Sequence, residues 1–124
     1  MRLLLDTHVW IWGALSPHRI RPETLEAMTT SAEVFVSAVV ALEVAVKQGL
    51  HKLDPNPVLL ESPSARSLTV LGVTWAHAIE VGRLPRHHRD PFDRLLIAQA
   101  RVEGLTIVTA DRLFDSYDVP TLAA

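Results

Sequence analysis

Short apolar runs alternate with helical stretches along the whole chain. Leu3-Leu4-Leu5, Glu33-Val34-Phe35-Val36, Thr69 to Val73, Leu105-Thr106-Ile107-Val108 and Val119 to Leu122 each have the length of a strand. Runs such as Leu3 to Leu5 suit strands covered on both faces, as in a parallel sheet. His8 to Leu15 is apolar nearly all round, through Val9, Trp10, Ile11 and Trp12. A helix of that kind is either deeply buried or pressed against a partner. Pro22 to Thr30 reads as a helix with Leu25 and Met28 inward. Ser37 caps a third helix to about Leu50, weakened at Gly49. Thr74 caps a fourth through Gly82, with Trp75, Ala78, Ile79 and Leu84 expected on its inner side. Pro55, Pro57 and Pro63 allow only short helical pieces between Asp54 and Ser67.

The clearest stretch runs from Asp90 to Asp111. Asp90 is a good N-cap and Pro91 fits the first helical position, where its missing N–H costs nothing. Asp93 then shares a helix face with Leu96, Ile97 and Ala100, so a carboxylate stands in line with core residues. Gly104 closes the helix, a strand follows, and Thr109 and Asp111 fall at its carboxyl end. Asp111 to Tyr117 reads as a short helix. Five strands alternating with helices indicate an α/β fold, a three-layer α/β/α sandwich around a mainly parallel five-stranded sheet. The 124 residues suit a single domain, spanning 1–124.

Composition narrows the chemistry. Apolar residues make up 48% of the chain, rich for a small monomer, and Trp10, Trp12, Val39 and Val40 add to an expectation of association. No apolar run is long enough to cross a bilayer, and the start lacks the features of a signal peptide, so a cytoplasmic protein is expected. Cysteine is absent, which excludes disulfides and thiolate chemistry. A net charge of −2 supplies no bulk field for nucleic acid, so any such contact needs a local patch. Arg83, Arg86, His87, His88, Arg89 and Arg94 form one beside the start of the Asp93 helix. They suit a phosphodiester backbone or, equally, a solvated loop with Arg89 or Arg94 paired to Asp90.

Four acids stand where packing alone would not favour a cluster. Asp6 and Asp111 follow buried strands, and Glu43 and Asp93 lie on apolar helix faces. Each has an ordinary reading: Asp6 and Asp111 as caps, Glu43 as the i+4 partner of Lys47, Asp93 as a first-turn acid near the helix dipole. Together they ask too much of coincidence, because unpaired carboxylates do not share a buried site cheaply. A bound cation resolves that cost. All-oxygen ligands select Mg²⁺ or Mn²⁺ over zinc. Such sites serve phosphoryl chemistry, and Thr7 and Thr109 stand beside the acids to support them. Crowded and partly buried, these carboxylates should have raised pKa values when no ion is bound. Other phosphate folds fail on particular residues. There is no G-x-x-x-x-G-K-[S/T] or G-x-G-x-x-G loop. His8 stands where a haloacid-dehalogenase-type phosphatase needs a second Asp, and Thr109-Ala110-Asp111 stands where a receiver domain needs a lysine.

Leu3 to His8, Ser37 through Glu43 with Lys47, His88 through Ala100, and Thr109-Ala110-Asp111 together resemble the PIN-domain family, in particular the toxin component of VapBC-type toxin–antitoxin pairs. The similarity extends over essentially the whole chain, and the His88 to Ala100 stretch is its most specific part. The resemblance implies a PIN-like fold and an Mg²⁺- or Mn²⁺-dependent endoribonuclease. It implies metal-holding, catalytic acids at Asp6, Glu43, Asp93 and, more variably, Asp111. Thr7, Thr109 and Asp90 would support them, and Arg86, His88, Arg89 and Arg94 would approach the RNA substrate. It also implies a homodimer and a cognate antitoxin lying over the acidic groove. The chain departs from the pattern between Pro55 and Ser67, where that subgroup has a cleaner helix. A catalytically silent RNA- or protein-binding module and a DNase with the same acids are the alternatives.

Overall fold

A computed structural model of the chain describes residues 1–87 and 90–124. Its strands are β1 (Arg2–Leu5), β2 (Glu33–Ser37), β3 (Thr69–Leu71), β4 (Thr106–Thr109) and β5 (Thr121–Ala123). They form a five-stranded sheet in the order β3-β2-β1-β4-β5, and every pairing is parallel. β1 lies at the centre, with Leu3 opposite Val34 on one side and Thr106 on the other. Leu3, Leu4 and Leu5 are fully buried, as expected of a strand covered on both faces.

The helices are α1 (Thr7–Leu15), α2 (Pro22–Thr30), α3 (Ala38–Gly49), α4 (Trp75–Arg83) and α5 (Pro91–Glu103). Their limits follow from local chemistry. Ser37 accepts from the Val39 N–H and caps α3, and Asp90 accepts from the Phe92 and Asp93 N–H groups and caps α5. Gly104 ends α5 with φ at 68°, a left-handed turn that glycine adopts without a Cβ penalty. The parallel arrangement points all five strands the same way. The residues after β1, β2 and β4 therefore gather at one carboxyl edge.

The proline-rich stretch forms two short 3₁₀ turns, Pro57–Leu60 and Pro63–Arg66. They are anchored on α1. Leu59 is buried and its carbonyl accepts from Trp10 Nε1 at 3.0 Å. Arg66 lays its guanidinium over the Trp10 ring, 4.1 Å from the centroid, and bonds the Trp10 carbonyl. The short helix expected from Asp111 to Tyr117 is present as a 3₁₀ turn, Arg112–Ser116, capped by those two residues.

Two expectations about apolar residues are corrected. Trp10, Val39 and Val40 are buried in the chain's own core, so they offer nothing to a partner. The exposed apolar residues are others, among them Leu42, Val46 and Leu50 on or just after α3, and Val70 on the edge strand. On α4 the inner face is also different from the one expected. Trp75, Ala78 and Ile79 face outward, Trp75 being 84% exposed, and only Leu84 of the expected set is buried. The inward residue is His77, fully buried between α4 and α5. Its Nδ1 accepts from the Thr74 N–H at 3.0 Å, completing a capping box, so the ring proton sits on Nε2 and is donated to Glu103 at 2.9 Å. Gln99 Nε2 donates to the Gly72 carbonyl beside it, while Gln99 Oε1 has no hydrogen-bond partner among the described residues. An apolar-moment reading places Trp and Ile inside. Here a neutral imidazole with each nitrogen matched takes that position instead.

Candidate active site

The first acid follows directly from β1. Asp6 caps α1, its Oδ1 accepting from the Val9 N–H at 2.8 Å. Its Oδ2 accepts from Thr109 Oγ1 at 2.5 Å, which ties the ends of β1 and β4 together. Burial pushes the Asp6 carboxyl above its usual pKa. The Thr109 and Val9 hydrogen bonds pull against that, and the Asp111 charge adds to it.

Glu43 reaches the same edge from α3 and is buried. Thr7 Oγ1 donates to its Oε1 at 2.6 Å, and Lys47 Nζ lies 2.5 Å from its Oε2. The expected i+4 pair is therefore present. Lys47 also lies in the field of Asp90 and Asp93, which with Glu43 hold its ammonium above the usual lysine pKa. The sequence suggested Lys47 only as a helix-surface partner. Its place as the cation of an acidic site depends on where α5 docks.

Asp93 shows the convergence most plainly. Its carboxyl is pushed up to about 7, first by burial and then by the charges of Asp90, Glu43, Asp6 and Asp111. Four acids from four different elements thus act on one carboxyl. Asp111 caps the following 3₁₀ turn through the Leu113 N–H, and its own N–H donates to Thr109 Oγ1 at 3.0 Å. Thr109 therefore links Asp6 and Asp111. The ordinary capping roles of Asp6, Asp90 and Asp111 hold alongside their shared location.

Among the described residues, no three His, Asp or Glu side chains stand close enough together to grip a metal ion as they are. The hydrogen bonds explain the spacing. Glu43 is held by Thr7 and Lys47, and Asp6 by Thr109 and the α1 amide. The donor set itself still fits a hard divalent cation: it is all oxygen and like-charged, its Asp6 and Glu43 are buried, and it has already drawn in an ammonium.

The basic patch divides. Arg94 donates to the carbonyls of Pro85, Val81 and Leu84, closing the C-terminal end of α4, so its guanidinium is committed to the fold. The pairing of Arg94 with Asp90, one of the ordinary readings of the patch, is replaced by these carbonyl bonds. Arg86 is exposed, and His88 and Arg89 lie outside the described residues.

A PIN domain family model matches residues 3–120. Ribonuclease VapC22 of Mycobacterium tuberculosis is 31% identical over 121 residues, covering 95% of this chain and 93% of the relative. Two solved structures share the fold: VapBC2 from Rickettsia felis bound to a promoter DNA fragment, and DNA-bound VapBC from Salmonella typhimurium. The first has a TM-score of 0.76 at 16% identity, covering 99% of this chain and 98% of that one. The second has a TM-score of 0.71 at 18% identity, with the same coverage of 99% and 98%.

Proposed function

This chain belongs to the PIN domain family and within it stands with the VapC-type ribonucleases, and from that premise we propose a metal-dependent endoribonuclease that acts as the toxin of a toxin–antitoxin pair. The observation that carries the reading is the placement of Asp6, Glu43, Asp93 and Asp111, from separate elements, at one carboxyl edge of the parallel sheet. Asp6, Glu43, Asp93 and Asp111 would hold Mg²⁺ or Mn²⁺. Such an ion, when bound, supplies a water nucleophile of lowered pKa and neutralises charge on the phosphate.

The chain's own residues do the rest. Thr109 and the Val9 amide fix both Asp6 oxygens, and Thr7 fixes one oxygen of Glu43. Asp90 holds the first turn of α5 and so sets where Asp93 projects. Lys47 balances Glu43 and must yield Oε2 if Glu43 is to bind a metal. With no ion bound, burial and the surrounding acids raise the Asp93 pKa to about 7, and protonation relieves repulsion from its neighbours.

The partners belong to the same proposal. The antitoxin would lie over the acidic edge, and the exposed Leu42, Val46 and Leu50 support association into a homodimer. Light scattering should find a dimer at micromolar concentration, and a lone monomer there would count against it.

Two observations favour a second reading, a catalytically silent binding module: among the described residues no three acids are poised as ligands, and Lys47 sits on Glu43. A single experiment separates the two. Purified protein free of any antitoxin is incubated with structured RNA and with DNA, each with Mg²⁺ and with chelator. The nuclease reading expects Mg²⁺-dependent cleavage of RNA and its loss in folded Asp6→Asn and Asp93→Asn. Cleavage of DNA alone makes the enzyme a DNase. No cleavage of either polymer favours the binding module, and cleavage by both variants at the parental rate removes this mechanism.

A further inference from the structure

The carboxyl edge carries a second concavity beside the acids. A cavity of about 250 Å³ opens between the ends of β4 and β5, the start of α2 and the turn after Asp111. Its walls include Arg21, Thr109, Asp111, Arg112, Asp115 and Thr121. Thr109 and Asp111 belong to both places, so the cavity and the acidic site share a wall.

The charged groups in it are not equivalent. Asp115 Oδ1 accepts from Thr121 Oγ1 at 2.7 Å, and Asp111 Oδ1 accepts from the Leu113 N–H at 2.9 Å. Both carboxylates are thereby turned onto protein donors. Among the described residues, neither the Arg21 nor the Arg112 guanidinium makes a hydrogen bond or ion pair. A guanidinium carries a planar fork of donors that matches a phosphate. By contrast Arg94 is committed to three backbone carbonyls. Among the described residues, the accessible cations lining this cavity are thus two arginines from distant parts of the chain, brought to one hollow by the fold.

We propose that this cavity is a subsite for a nucleotide of the RNA strand flanking the scissile phosphodiester, with Arg21 and Arg112 on its phosphate. The proposal rests on the ribonuclease reading above and adds where the strand runs: from the acids, past Thr109, onto the β5 flank. It also explains how a chain of net charge −2 holds a polyanion, through a local pair of arginines and not a bulk field.

The test measures binding on the intact protein in chelator, where no cleavage occurs. The probe is a short, fluorescein-labelled single-stranded RNA of mixed sequence, followed by anisotropy over a salt series. Arg21→Ala/Arg112→Ala should weaken binding about tenfold at moderate salt. It should also flatten the slope of log K against log salt by about 0.7, one phosphate contact on a single strand. The lysine pair, Arg21→Lys/Arg112→Lys, should keep the slope. Arg2→Ala is the control, because Arg2 pairs with Glu33 at the amino end of the central strand, away from the cavity. Thermal melts establish that each variant is folded. A double alanine variant that matches the parent in affinity and slope overturns the subsite, and leaves the ribonuclease reading standing if the parent binds and cleaves RNA. A parent that neither binds nor cleaves removes that reading, and the subsite with it.

Discussion

Between α4 and α5, buried His77 meets the Thr74 amide on one nitrogen and Glu103 on the other, whereas at the carboxyl edge Asp93 faces Asp90, Glu43, Asp6 and Asp111. Both clusters are polar, and both are built from residues far apart in sequence. In the first, donors meet acceptors, and a buried imidazole stabilises the helix pair because its desolvation is compensated. In the second, acids meet acids, and threonine hydroxyls and one lysine offset only part of the repulsion. Matched polar groups hold the sandwich together. Unmatched ones persist where the surrounding fold overdetermines them, and they mark a place that a cation would relieve.

That contrast is open to direct attack. The largest expected change is at the matched cluster. His77→Ala removes a helix cap and a buried hydrogen bond, and should cost about 3 kcal/mol, lowering the melting temperature by on the order of 10 °C with or without Mg²⁺. A loss within experimental error would mean that the imidazole is incidental.

Asp93→Asn should move the other way. The folded pKa of Asp93, about 7, lies above the ordinary carboxylate value. The folded protein therefore binds this proton more tightly than the unfolded chain does. The resulting stability is fully present below the ordinary carboxylate pKa and is lost as pH rises through about 7. Allowing for solvent screening at a partly exposed group, the strain at neutral pH is on the order of 1–3 kcal/mol. In chelator at pH 8 the variant should melt a few degrees above the parent, and the gap should close by about pH 4. Saturating Mg²⁺ should stabilise the parent more than the variant, since only binding to the native state shifts folding. Equal responses would make Asp93 an ordinary first-turn acid.

The smallest effect is at Lys47. Lys47→Met leaves Glu43 with less compensation and should lower metal-free stability by about 1 kcal/mol. It should also tighten Mn²⁺ binding severalfold in a calorimetric titration, because the ammonium no longer occupies Oε2. Weaker Mn²⁺ binding would show that Lys47 assists the ion and does not compete with it.

The helix limits and the strand sequence were legible because they rest on local rules. Asp90 and Pro91 start α5, Gly104 ends it, and the Leu3 to Leu5 run needs cover on both faces. The four acids were legible because each breaks the pattern of its own element. What the sequence hid depends on docking. Whether Trp10 or Trp75 is outside cannot be read from hydrophobicity, since Arg66 and Leu59 come from elsewhere to cover Trp10. Nothing in the local sequence marks His77 as internal. Only Glu103, 26 residues on, supplies the acceptor that lets it be buried. Arg94 looked available for the same reason, its carbonyl acceptors lying on the preceding helix and its exit loop.

Placing β1 at the centre of the sheet has a consequence for the timing of synthesis. Asp6 is made before the other acids of the site, yet its Oδ2 is fixed by Thr109, 103 positions later, on a strand that pairs directly with β1. A growing chain stopped before Asp93 lacks the acid on which the others converge. One stopped before Thr109 leaves β1 open on one side and Asp6 half-held. On the ribonuclease reading proposed above, the unfinished chain on its ribosome has no assembled site with which to cut RNA.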